Sequence, residues 1–155
     1  MKSTPKTTKE RYYFAYGSNC NLNQMAARCP KATVCVPVTL RNYTLIFNGV
    51  ASIKRRNGSV VMGLLWKITP DCERSLDRYE GYPRLYVKRN VTVFAADGSS
   101  CRAMVYVMAK EYNSPALPTD CYYNGIREGF LQNNIPVETL EAALNETYAS
   151  LGYAI

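Results

Sequence analysis

The chain contains no histidine among its 155 residues. That absence excludes Ser–His and Cys–His catalysis and removes the commonest metal ligand. Any proton transfer near neutral pH must fall to a carboxylate, a cysteine, a lysine or a tyrosine. The chain also lacks any run of about 18 apolar residues, so no transmembrane helix and no membrane partner is expected. Its six cysteines (Cys20, Cys29, Cys35, Cys72, Cys101 and Cys121) form no C-x-x-C pair. This spacing does not suit a zinc site, and reduced, mostly buried thiols are expected. Residues 1–10 hold no apolar stretch and do not read as a signal peptide. They read as a flexible basic arm ahead of a single domain over residues 11–155, in a cytoplasmic protein. The net charge is +7, but it is diffuse. No basic helix or nucleic-acid motif accompanies it, so no nucleic-acid partner is expected. The positive field still favours an anionic small substrate.

Alternating and aromatic-rich stretches indicate strands at 11–16, 33–40, 43–47, 51–55 and 60–68, with a hairpin turn at Asn57-Gly58. Two longer strands follow, 86–95 and 102–108, joined through Asp97-Gly98. A helix capped by Asn19 or Asn21 should run to about Cys29, and Pro30 should end it. Thr69-Pro70-Asp71 opens a second helix, with Leu76 and Tyr79 toward the core and Gly81 as its stop. Asp120 caps a third helix, and 137–151 reads as the last. The pattern is α+β, and the number of strands makes a closed or partly closed barrel plausible.

Three segments could carry chemistry. Tyr16-Gly17-Ser18-Asn19 lies between a strand and a helix. Glycine there lets backbone N–H groups approach a ligand, and the helix N-terminus aims its positive end at the same place. The segment could seat a carboxylate or an oxyanion, or it could be an ordinary capped turn. Glu80 ends its helix, where a carboxylate opposes the dipole. Its neighbours are Tyr79, Tyr82 and Tyr86. If buried among them, its pKa should rise toward neutrality, as a general base requires. A surface glutamate at a frayed helix end is the alternative. Asp77, one turn earlier, could pair with Arg74 or Arg78. Tyr122, at a helix start, could bind a polar substrate group or be a core tyrosine with a satisfied hydroxyl.

Taken together, YFAYGSN at 13–19, G-x-x-W at Gly63–Trp66, LDRYEG at 76–81, Tyr86, and Tyr122 seven residues before Gly129 resemble the γ-glutamylcyclotransferase (AIG2-like) family. The resemblance spans nearly the whole chain past the arm. It implies a small mixed β-barrel flanked by short helices. The implied activity cyclises the γ-glutamyl group of a γ-glutamyl amide, releasing 5-oxoproline and a free amine. Glu80 is then the acid/base. Tyr13, Phe14, Ala15, Tyr16, Gly17, Ser18 and Asn19 seat the γ-glutamyl moiety, and Tyr122 is a further substrate contact. Neither a metal nor a cofactor is expected, and a monomer or homodimer is. A non-catalytic small-molecule-binding or regulatory domain of the same fold is the alternative. The leaving amine has no readable code in the sequence.

Overall fold

A computed structural model describes residues 10–153; of the arm expected over residues 1–10, all but Glu10 lies outside them. Strand β1 is Arg11–Ala15, and a single 3-10 turn at Ser18–Cys20 leads from it to helix α1, Leu22–Arg28. Strands β2 (Thr33–Asn48) and β3 (Val50–Ile68) follow, then helix α2 (Pro70–Glu80). Strands β4 (Tyr86–Phe94) and β5 (Ser100–Met108) precede helices α3 (Asp120–Gln132) and α4 (Glu138–Ser150). The strands close into a barrel in the order β1-β3-β2-β4-β5. Only the β1–β5 seam is parallel, with Tyr13 opposite Met104; the other pairs are antiparallel. The expected α+β barrel is the observed fold.

The hairpin turn lies elsewhere than the sequence suggested. β2 and β3 are one long ribbon turning at Gly49, whose φ of +85° suits glycine. Asn48-Gly49 is therefore the turn dipeptide. Asn57-Gly58 instead sits in a register shift, where the pairing jumps from Arg41↔Val60 to Tyr43↔Arg55. Gly58 (φ +86°) donates its N–H to Asn42 Oδ1 at 3.0 Å. Two Asn-Gly signals occur nine residues apart, and local propensity does not rank them. The bulge bends the ribbon so that one pair of strands can wrap the barrel.

The barrel interior is apolar. Phe14, Leu64, Ile68, Met104 and Val93 are fully buried, and Leu76, Ile126, Phe130 and Leu140 bring helices onto it. Two glycines of the motifs are explained by close packing. A side chain at Gly63 would run into the Ala15 carbonyl and the Phe14 ring, so β1 and β3 could not approach. A Cβ at Gly129 would lie 2.5 Å from the Asn21 amide nitrogen, so α3 sits directly on the turn after Asn19. Three of the six thiols are buried (Cys20, Cys29 and Cys72), whereas Cys35 and Cys121 are exposed on outward faces. No helix among the described residues is long and apolar enough to cross a membrane.

Candidate active site

Helix α2 is built to end at Glu80. Thr69 Oγ1 accepts from the Cys72 N–H, and Pro70 takes the first position, where no N–H partner is needed. Gly81 adopts the left-handed conformation (φ 68°), and the Tyr82 N–H closes on the Asp77 carbonyl at 2.9 Å. Glu80 is thereby held at the last residue, facing the turn that follows β1. That turn is held from three sides. The Trp66 indole donates to the Asn19 carbonyl at 3.0 Å. Asn133 Nδ2 donates to the Cys20 carbonyl at 3.0 Å, and the Leu22 N–H donates to Gln132 Oε1 at 2.8 Å. The G-x-x-W and glycine-in-helix motifs thus support the Tyr16–Asn19 turn from β3 and α3.

Between the turn and Glu80 lies a cavity of about 210 Å³. Its walls include Tyr13, Tyr16, Gly17, Ser18, Asn19, and Tyr122. Glu80 is the sole carboxylate among its lining residues. Its partly buried carboxyl makes no ion pair among the described residues, and Asn19 Nδ2 donates to Oε2 at 3.4 Å. Burial pushes its pKa up to about 7, against the pull of the nearby Arg28 charge. The amides of Gly17, Ser18 and Asn19 donate to no protein acceptor among the described residues. The three residues line the same cavity. A Cβ on Gly17 would point toward the Tyr122 hydroxyl and Ala51, into this space.

The tyrosine hydroxyls are fixed. Tyr16 donates to the Tyr106 carbonyl at 2.7 Å, and Tyr86 donates to the Ala51 carbonyl at 2.5 Å. Tyr122 accepts from the Ala51 N–H at 3.0 Å. Tyr13 accepts from Asn19 Nδ2 at 2.9 Å, which leaves its own proton to donate. Burial raises the pKa of all four, so they remain neutral hydroxyls.

Of the residues expected at the site, Tyr13, Tyr16, Gly17, Ser18, Asn19, Glu80 and Tyr122 come together. Phe14 and Ala15 do not reach the cavity. Phe14 is wholly buried, its ring 6.2 Å from that of Tyr16, and Ala15 is buried, its carbonyl accepting from Cys20 Sγ at 3.2 Å. Tyr79 is not a core residue: its side chain is 45% exposed, and its ring caps the cavity edge. Asp77 pairs with neither Arg74 nor Arg78. It takes Lys88 at 3.0 Å and the Tyr106 hydroxyl at 2.6 Å. Thr119, not Asp120, caps α3. Val50, Ala51 and Leu85, which line the cavity from the hairpin and the loop after α2, carry no signal in the sequence. They are apolar residues in segments with no site pattern.

Fold and cavity define a closed-barrel protein with one cavity-facing carboxyl whose pKa burial raises. The family described as gamma-glutamyl cyclotransferase, AIG2-like, matches residues 13–124. A human gamma-glutamylcyclotransferase is 30% identical over 142 residues, covering 83% of this chain and 74% of that one. The mouse gamma-glutamylcyclotransferase is 29% identical over the same shares. A solved structure named gamma-glutamyl cyclotransferase superposes with a TM-score of 0.80 at 28% identity, covering 87% of this chain and 86% of its own. The chain belongs to the gamma-glutamyl cyclotransferase, AIG2-like family.

Proposed function

We propose that this protein is a γ-glutamylcyclotransferase in which Glu80 is the acid/base that takes a proton from the attacking nitrogen and returns it to the leaving one. The observation that supports this most is that a lone cavity carboxyl, its pKa pushed up to about 7 by burial, lines the same cavity as the 17–19 turn. An L-γ-glutamyl amide enters with its α-carboxylate on the amides of the 17–19 turn, where a helix-like start and free N–H groups suit an anion. Glu80, ionised, takes a proton from the α-ammonium. The freed nitrogen forms a bond to the γ-carbonyl carbon of the same molecule, and the carbonyl electrons move onto oxygen. Neutral tyrosine hydroxyls, Tyr13 foremost, donate to that oxyanion. As the carbonyl re-forms, the bond to the amide nitrogen breaks. Glu80 returns its proton to the departing amine, the ring nitrogen passes its second proton by way of solvent to that same amine, and 5-oxoproline and an ammonium product remain. One carboxyl serves both steps because its pKa lies near the operating pH. Curling the chain supplies much of the rate, since well-oriented intramolecular attack is worth effective molarities of about 10⁵ M or more.

Tyr16, Gly17, Ser18, Asn19 and Tyr122 shape the γ-glutamyl seat in this reading, whereas Phe14 and Ala15 support it from the strand. The domain spans residues 11–155, and the protein acts in the cytoplasm on a small molecule, as a monomer or homodimer, without nucleic acid. The test is a panel of γ-glutamyl amides, amino acids and peptides incubated with purified protein, with 5-oxoproline read by mass spectrometry. Release from at least one member is expected. A folded protein that releases none, yet is stabilised thermally by the same compounds, would mark a binding domain of this fold instead.

A further inference from the structure

Arg28 carries no site pattern in the sequence, yet it touches three residues that line the cavity, Ser18, Asn19 and Tyr79. It closes α1, and its guanidinium lies over the Tyr79 ring, 3.7 Å from the centroid. Nη1 donates to Asn19 Oδ1 at 2.5 Å and to Ser18 Oγ at 3.2 Å, while Nη2 donates to Gln24 Oε1 at 2.8 Å. Ser18 Oγ in turn shares a hydrogen bond with the Tyr79 hydroxyl at 3.2 Å. Arg28 therefore ties the donor turn to the residue that precedes Glu80.

A guanidinium only donates. It can face the oxygen of an amide but not its NH2. With Oδ1 of the buried Asn19 committed to Arg28, Nδ2 must face the other way, toward the Tyr13 hydroxyl at 2.9 Å and Glu80 Oε2 at 3.4 Å. Without Arg28 that amide could turn over and present its oxygen to the Glu80 carboxylate, a contact that penalises the ionised base.

We infer that Arg28 is a positioning residue for the reaction: it locks the Asn19 amide with its nitrogen toward Glu80 and stabilises the ionised, proton-accepting form of that carboxyl. The inference rests on Glu80 being the acid/base. Besides Arg28 from α1, the titratable groups facing Glu80 are Tyr13 from β1, Tyr16 from the turn after it, Tyr79 from α2, Tyr86 from β4 and Tyr122 from α3. All five are phenols. Among the described residues Arg28 is the one cation acting on the carboxyl, opposing its burial.

The experiment compares Arg28→Met and Arg28→Lys with the parent. The Glu80 carboxyl is titrated by carbon NMR in the substrate-free protein, and kcat and KM are measured across pH. Arg28→Met should raise the Glu80 midpoint by about one unit, since it removes both an adjacent cation and a donor to the charged form. The acid limb of the rate profile should rise with it, so kcat near pH 7 falls by about fivefold while KM changes less than about threefold. Arg28→Lys keeps the charge without the planar fork and should recover most, not all, of the shift. An unchanged Glu80 midpoint in folded Arg28→Met overturns the proposal, as does a rise in KM with kcat intact. Should Arg28→Met fail to fold, Arg28→Lys carries the test: a midpoint equal to the parent's overturns it, and a smaller upward shift supports it. Because the midpoint is read without substrate, failure of this coupling is distinguishable from failure of the cyclotransferase reading, which the 5-oxoproline assay decides.

Discussion

Asp77 and Glu80 are both carboxylates of α2, one helical turn apart, and they meet opposite environments. Asp77 turns to the side where α2 lies against β4 and β5. There Lys88 Nζ, which also binds Glu73 at 2.6 Å, and the Tyr106 hydroxyl satisfy it. Glu80 turns to the cavity, gains no cation at contact distance among the described residues and keeps one long hydrogen bond. The first is an anchor whose charge is neutralised. The second is a carboxyl whose charged and neutral forms are close in free energy near pH 7. A residue's role on this helix is set by the turn of about 100° per residue that decides which wall it faces.

The largest separation between the two should appear in turnover. Glu80→Gln is expected to lose about 10²-fold or more in kcat with the fold intact, by circular dichroism and melting. Asp77→Asn should lose less than about tenfold, because it leaves every group of the cavity in place. A comparable loss from both would erase the distinction.

Stability should separate them in the reverse sense. Asp77→Ala strips Lys88 and the Tyr106 hydroxyl of a partner and should cost about 1–3 kcal/mol in a denaturant titration. Glu80→Gln should instead stabilise the fold at high pH. The folded protein holds the Glu80 proton up to about pH 7, whereas the unfolded chain releases it near the ordinary glutamate value, about 4.3. Across that window folding takes up a proton, so the parent loses stability as pH rises, fully by the time pH exceeds 7. The variant lacks this dependence. It should gain about 1–3 kcal/mol on the parent at pH 8 and nothing at pH 4. A difference that is the same at both pH values would show that Glu80 titrates normally.

The smallest expected effect concerns the opposite wall. Tyr122→Phe leaves the Ala51 N–H without its acceptor and should cost about 1 kcal/mol, with a rise of a few fold in KM. No change in either would place Tyr122 outside the seat.

Much of this contrast was legible in the sequence. Glu80 stood out because a carboxylate at a helix C-terminus beside tyrosines is locally unfavourable, and local disfavour marks function. Gly17 stood out because a glycine between a strand and a helix suits a ligand turn. What escaped depended on long-range pairing. Asp77 finds its partners eleven and 29 residues further on in β4 and β5, not beside it on the helix. Trp66 reaches Asn19 across 47 positions. Arg28 is an ordinary basic residue ending a helix, with nothing local to distinguish it from a C-terminal cap. The long β2–β3 ribbon was divided into shorter strands because its Asn-Gly bulge imitates a turn. Tyr79 was assigned to the core on helical periodicity, but the last turn of α2 lies beyond the barrel wall.

The most direct test of the central claim is the pH dependence of kcat/KM for 5-oxoproline release between pH 5 and 8.5, which reports the ionisations of the free enzyme. An acid limb with an apparent pKa near 7, absent from the residual rate of Glu80→Gln, is the predicted result. A limb at the ordinary carboxylate value, or one near 7 that persists in Glu80→Gln, would contradict it.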